Sequence, residues 1–133
     1  MDTPYEILIK NAYEAKEKAY SPYSSFKVGA ALMCSDGSIY TGCNIENASY
    51  GATLCAERVA IGKAISEGKK DFLAIAVAGS GNDYCYPCGI CRQVLSEFCS
   101  SDFKVILPHE NKETKEMSLS ELLPCSFTND NMK

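Results

Sequence analysis

Apolar positions along this chain alternate between a helical period and short strand-like runs. Leu8, Ala12, Ala15 and Ala19 recur on one helical face. Thr3-Pro4-Tyr5-Glu6 suits the start of that helix, with Thr3 as cap, Pro4 at the first position and Glu6 completing a capping box. Ser21-Pro22 is expected to end it. Lys27 to Met33 is short and apolar, and Ile39 to Cys43 answers it across Ser35-Asp36-Gly37-Ser38, so the pair predicts a hairpin. Asn44 to Thr53 is rich in small and polar residues and reads as a loop. A second helix is expected from Thr53 as cap to Gly68 as stop. Phe72 to Ala78 is almost continuously apolar, which predicts a strand buried on both faces. A third helix is expected from about Cys88 to Phe98, and strands at Lys104 to Leu107 and Glu116 to Ser118. Ser118 and Glu121 then form a capping box for a short last helix.

The order α-β-β-α-β-α-β-β places helices between strands. Crossovers of that kind cover a sheet on both faces. The expected fold is therefore α/β: a three-layer α/β/α domain around a mixed five-stranded sheet, with residues 1–133 forming one domain. A chain of this length buries roughly 68–70% of its unfolded surface, and the 46% hydrophobic content agrees with a real core. The formal charge of −4 lacks the basic footprint of a polynucleotide binder and favours a small substrate. No apolar run reaches the length of a membrane span, and residues 1–10 show no secretory pattern. A reducing, cytoplasmic setting follows, in which eight cysteines point to metal or catalysis rather than disulfides.

The cysteines that carry chemistry are Cys55, in Cys55-Ala56-Glu57-Arg58, and the pair in Pro87-Cys88-Gly89-Ile90-Cys91. Cys88 and Cys91 are three apart and share a helical face; Cys55 comes from another helix. Three thiolates leave the fourth tetrahedral position of Zn²⁺ open to water. Glu57 is two residues from Cys55, and such positions do not face the same way on a helix. Both can serve one ion only if it lies at the helix end. Helix N-termini also favour thiolates. Zn²⁺ with three thiolates is net negative, so Arg58 is the candidate for charge compensation; its alternative is a solvated surface arginine. Taken alone, Glu57 reads better as a first-turn acid favoured by the helix dipole; its place between Cys55 and Arg58 turns the reading to a proton carrier.

This pattern of Cys-x-Glu followed by Pro-Cys-x-x-Cys resembles the signature of zinc nucleobase deaminases. The implied chemistry is hydrolysis at C4 of cytosine, with Glu57 as proton carrier between water, ring N3 and the departing amine. The likeness extends further, through Tyr20-Ser21-Pro22-Tyr23-Ser24, Phe26-Lys27-Val28-Gly29-Ala30-Ala31-Leu32, Gly42-Cys43-Asn44-Ile45-Glu46-Asn47-Ala48, Arg92-Gln93-Val94 and Leu122-Leu123-Pro124. On those segments the chain resembles the small zinc-dependent cytidine deaminases that act on free nucleosides. The resemblance implies that Asn44 and Glu46 bind ribose, that Phe26 stacks on the pyrimidine and that the backbone of Ala56 contacts the base. It further implies a homotetramer in which Ala48, Tyr50 and Phe127 reach a neighbouring subunit's site, and cytidine and deoxycytidine as substrates.

Cys85 departs from that pattern and creates a Cys85-x2-Cys88-x2-Cys91 series. A fourth thiolate would close the site and make the metal structural, as in a binding or redox module. Pro87 interrupts the helix before Cys88, so Cys85 is expected to point elsewhere. Cys34, Cys43, Cys99 and Cys125 are expected as small buried hydrophobes, and His109 as a solvent-facing loop residue. Deamination of a cytosine-containing antibiotic is the neighbouring enzyme reading, against which Asn44-Ile45-Glu46-Asn47 argues.

Overall fold

The computed structural model describes residues 4–133. Five strands form one sheet in the order β2-β1-β3-β4-β5: β1 is Val28–Cys34, β2 Ile39–Cys43, β3 Phe72–Gly79, β4 Lys104–His109 and β5 Lys112–Ser118. β1 pairs antiparallel with β2 and β3, β4 runs parallel to β3, and β5 returns antiparallel to β4. The sheet is therefore mixed, as expected. Four helices accompany it: α1 (Pro4–Lys16), α2 (Ala56–Ser66), α3 (Gly89–Phe98) and α4 (Leu119–Leu122).

Strand alternation divides the core into two layers. Ala31, Ala74, Ala76, Ala78 and Ile106 face α1 and pack on Leu8 and Ala12. Ala30, Leu32, Ile75, Val77, Val105 and Leu107 face the other way, toward Ala56, Ala60, Ile61 and Ala64 of α2 and Leu95 of α3. Both faces of β3 are apolar, which explains its unbroken run of hydrophobes.

Two glycines set how closely the helices lie on the sheet. A Cβ on Gly29 of β1 would overlap Ala12 O and the Lys16 backbone of α1. A Cβ on Gly42 of β2 would overlap Ala56 O and come 2.6 Å from Ala60 N of α2. The helix that carries Cys55 and Glu57 is thus docked backbone to backbone on β2.

Several boundaries differ from the sequence reading. Thr3 lies outside the described residues. α1 ends at Lys16, well before Ser21-Pro22, because residues 17–19 close into turns and Tyr20 pairs with the Asn44 and Glu46 backbone. Cys55, not Thr53, is the N-cap of α2; Thr53 instead ends a 3₁₀ turn at Tyr50–Ala52 inside the expected loop. Gly68 does terminate α2, at φ 87°, with Lys69 N bonded to Ala64 O and Gly68 N to Ile65 O. β5 begins four residues earlier than expected, since an edge strand facing solvent needs no apolar pattern. The capping box of Ser118 and Glu121 starts α4 as read. His109 is not a free loop residue: it ends β4 half-buried, edge-on to Tyr84 at 6.0 Å. Cys34 is buried, but Cys43 and Cys99 are half-buried and Cys125 is exposed in the carboxyl-terminal segment, where no layer covers it.

Gly29→Ala should destabilise the fold by about 1–3 kcal/mol, the cost of forcing a methyl between two backbones. Urea unfolding measures it; an unchanged midpoint would show that α1 can shift outward freely.

Candidate active site

α2 and α3 point their amino-terminal ends at one place. Cys55 is the N-cap of α2 and Cys88 the N-cap of α3, and no side-chain cap bond forms at either among the described residues. The thiols turn toward each other instead. Cys55 Sγ lies 3.7 Å from Cys88 Sγ, which lies 3.6 Å from Cys91 Sγ, and all three sulfurs fall within 4.8 Å. A tetrahedral ion with Zn–S bonds of ~2.3 Å requires sulfurs ~3.8 Å apart. The donor set therefore fits such an ion, which would sit at the helix ends, as the spacing of Cys55 and Glu57 demands. Among the described residues this is the one cluster of Cys, His, Asp or Glu with that geometry.

Electrostatics around the cluster are strained without a cation. The Cys55 thiol is held well below its ordinary range, chiefly by the Cys91 thiol and also by Arg58. Cys91 is pushed up, chiefly by its bond to Cys55 and then by burial and neighbouring negative charge. A cation removes that opposition and lets all three sulfurs ionise. Arg58 is no solvated surface residue. Its Nη2 donates to Cys55 Sγ at 3.5 Å and to Thr53 O at 3.2 Å, and its buried Nε has no hydrogen-bond partner among the described residues.

Glu57 follows Cys55 into the first turn and is only 4% exposed. Burial, opposed by its backbone bond and reinforced by Cys55, pushes its carboxyl up to about 7. A carboxyl in that range can take and return a proton at neutral pH. Ala56 beside it is fully buried, with its carbonyl on Gly42.

Cys85 is outside the cluster. It packs on the backbone of Gly79 at the end of β3, and burial pushes its thiol up to about 12. The four-sulfur closure is not formed.

A cavity of about 400 Å³ is lined by Tyr23, Ser24, Glu46, Asn47, Tyr50 and Thr53. Glu46 Oε1 accepts from Tyr23 N at 2.9 Å and Ser24 N at 3.1 Å, and Oε2 accepts from Ser24 Oγ. These bonds, Ser24 Oγ foremost, hold the carboxylate below its ordinary range. Sequence reasoning missed Ser24 as a partner, because two loops 22 residues apart have to meet. Asn44, 8% exposed, is largely committed to backbone: Oδ1 accepts from Val28 N at 2.9 Å and Nδ2 donates to Phe26 O at 2.8 Å. Its second amide hydrogen is the part left for a ligand. Phe26 is 39% exposed, with its ring over Gly79 and Gly81. Ala48 is exposed, Tyr50 is 76% exposed and Phe127 58%, so these three sit on the surface of this chain.

The profile of the family described as cytidine and deoxycytidylate deaminase zinc-binding region matches residues 3–107. A cytidine deaminase of Halalkalibacterium halodurans is 53% identical over 127 residues, covering 96% of both chains. One of Sporosarcina psychrophila is 46% identical over 127 residues, 96% of this chain and 93% of that one. Among solved structures, a cytidine deaminase of Burkholderia pseudomallei superposes with a TM-score of 0.88 at 46% identity, over 92% of this chain and 98% of that chain. Another from Mycobacterium tuberculosis gives 0.82 at 41% identity, over 96% and 99%.

Cys85→Ser should leave one metal ion per chain, whereas Cys55→Ser, Cys88→Ser or Cys91→Ser should each abolish tight binding. Elemental analysis of the purified variants reads this directly; metal lost from Cys85→Ser would mean a closed four-sulfur site.

Proposed function

This chain belongs to the cytidine deaminase family, and on that premise we propose that it hydrolyses cytidine and deoxycytidine to uridine and deoxyuridine with release of ammonia, a step of pyrimidine salvage. The observation that carries the reading is the convergence of three sulfurs and one buried, non-ligating carboxyl at two helix ends. One domain supplies the three sulfurs and the carboxyl.

Cys55, Cys88 and Cys91 would hold a zinc ion, which would supply Lewis acidity and lower the pKa of a water to ~7. Arg58 and the two helix N-termini offset the charge of the sulfurs. Glu57 carries the protons. It takes one from the attacking water, delivers it to ring N3 and then helps protonate the departing amine. Burial of Glu57 keeps bulk water from short-circuiting those transfers.

Substrate is held on the side of the cavity. Glu46 and the remaining hydrogen of Asn44 engage the ribose hydroxyls, Phe26 stacks on the pyrimidine and the Ala56 backbone meets the base. Glu46 also repels a phosphate on the sugar, which favours nucleosides over nucleotides. Polynucleotides are poor partners for a chain of charge −4. A homotetramer accounts for the exposure of Ala48, Tyr50 and Phe127: each would complete a neighbouring subunit's site and be covered there. No helix among the described residues is long and apolar enough to cross a membrane. Eight free thiols suit a reducing compartment, the cytoplasm.

Conversion of cytidine to uridine, followed spectroscopically alongside zinc content, tests the reading; a zinc-loaded protein inert on both nucleosides would reject it. Glu57→Gln should lower kcat by ~10²–10⁴-fold with zinc retained. Near-normal turnover in that variant would remove Glu57 from the mechanism. Phe127→Ala should raise KM about tenfold, equivalent to ~1.4 kcal/mol of lost contact; an unchanged KM would argue against sites shared between subunits.

A further inference from the structure

Each capping cysteine is followed, one turn into its helix, by an arginine that reaches back. Arg58 N donates to Cys55 O at 3.1 Å, and its Nη2 reaches Thr53 O and Cys55 Sγ. Arg92 does something related at α3, with a different target. Its backbone N donates to Cys88 O at 3.0 Å, and its side-chain Nε donates to Pro87 O at 2.7 Å. Backbone and side chain of one residue thus grip the carbonyls of Pro87 and Cys88, the two that flank the Cys88 Cα. The same guanidinium extends Nη1 to Leu122 O at 2.7 Å, the last residue of α4. Next to it, Gln93 Nε2 donates to Phe127 O at 2.9 Å.

The bonds of Arg92 go to carbonyls, where Arg58 reaches a sulfur. Its contribution is therefore orientation, where that of Arg58 includes charge. Orientation is needed here. Cys88 is exposed, its thiol does not cap its own helix, and the residues before it form a loop without regular structure from Ser80 to Pro87. A planar fork with divergent donors can hold a loop carbonyl and a distant helix end at once; a single ammonium cannot. The residue lies just past Cys91, so its own position is set by the helix that carries the other sulfur.

We propose that Arg92 is a positioning residue for the metal centre: by clamping Pro87 O and Leu122 O together it presets Cys88 against Cys91 and ties the sulfur-bearing turn to the carboxyl-terminal segment. The proposal rests on the reading of Cys55, Cys88 and Cys91 as the zinc ligands. Removal of a partner that orients ligands typically weakens metal binding by ~10–100-fold.

The test uses the full chain as wild type, Arg92→Gln and Arg92→Lys. Zinc affinity is measured by competition with a chromogenic chelator, and melting is followed in metal-free and zinc-loaded forms. Arg92→Gln should lose ~10–100-fold in zinc affinity. Arg92→Lys keeps the charge and should recover only part of it. The rise in melting temperature on adding zinc should shrink in both. Wild-type zinc affinity in the variants, with melting lowered equally in both forms, would reduce Arg92 to a structural brace and overturn the proposal. Should Arg92→Gln fail to accumulate, the affinity of Arg92→Lys decides on the same terms. A wild-type chain that binds no zinc would instead defeat the underlying reading of the three cysteines.

Discussion

Two helices have to end on the same point. The thiols of Cys55, Cys88 and Cys91 come within 4.8 Å of one another from the first turns of two helices, separated in sequence by a whole helix, strand and loop. Thiols at that spacing do not attract each other strongly, and as thiolates they repel. Their placement has to be imposed from behind. For α2 the support is Gly42, which lets the helix backbone lie directly on β2. For α3 it is the sheet beneath Leu95, the buried Pro87, and the carboxyl-terminal segment that meets Arg92. The scaffold therefore holds a cluster whose own energetics favour dispersal until a cation binds.

Charge follows the same arrangement. Both helix N-termini face the cluster, so peptide dipoles and unpaired N–H groups oppose the negative sulfurs. Arg58 adds a full positive charge in contact with Cys55. Glu57 sits in the same first turn yet is buried, and desolvation rather than any single neighbour raises its pKa. One short helical turn thus brings together a thiol, a guanidinium and a buried carboxyl, the groups proposed above as ligand, counter-charge and proton carrier.

The loop between β3 and α3 is tied down from two sides. Toward the hairpin of β4 and β5, Tyr84 Oη donates to Glu113 O at 2.7 Å, and Lys115 Nζ lies 2.8 Å from Tyr86 Oη and 5.2 Å from the centre of its ring. Toward α4, Arg92 closes the other side. Glycines at 79 and 81 leave room in that loop for the ring of Phe26. A segment with no regular structure is in this way held firmly enough to place Cys88 beside the other sulfurs and to seat the ring of Phe26.

Much of this was legible in the chain alone. The strand runs, the Asp-Gly turn, the Gly68 stop and the Ser118 capping box are local signals, and local chemistry decides them. The three cysteines and Glu57 were readable because their spacing has a narrow chemical meaning, and the same spacing required an ion at the helix end. What the chain could not show was anything made by contact between distant segments. Cys55 took the cap position because Thr53 is committed elsewhere, ending the Tyr50–Ala52 turn and accepting from Asn47 N. Ser24 became the partner of Glu46, and Asn44 was committed largely to backbone, because two loops meet there. Cys85 left the cluster for Gly79, and His109 joined Tyr84. Periodicity reports which face of an element is covered, but only tertiary packing decides what covers it, because burial and hydrogen-bond partners are properties of neighbours rather than of the residue itself.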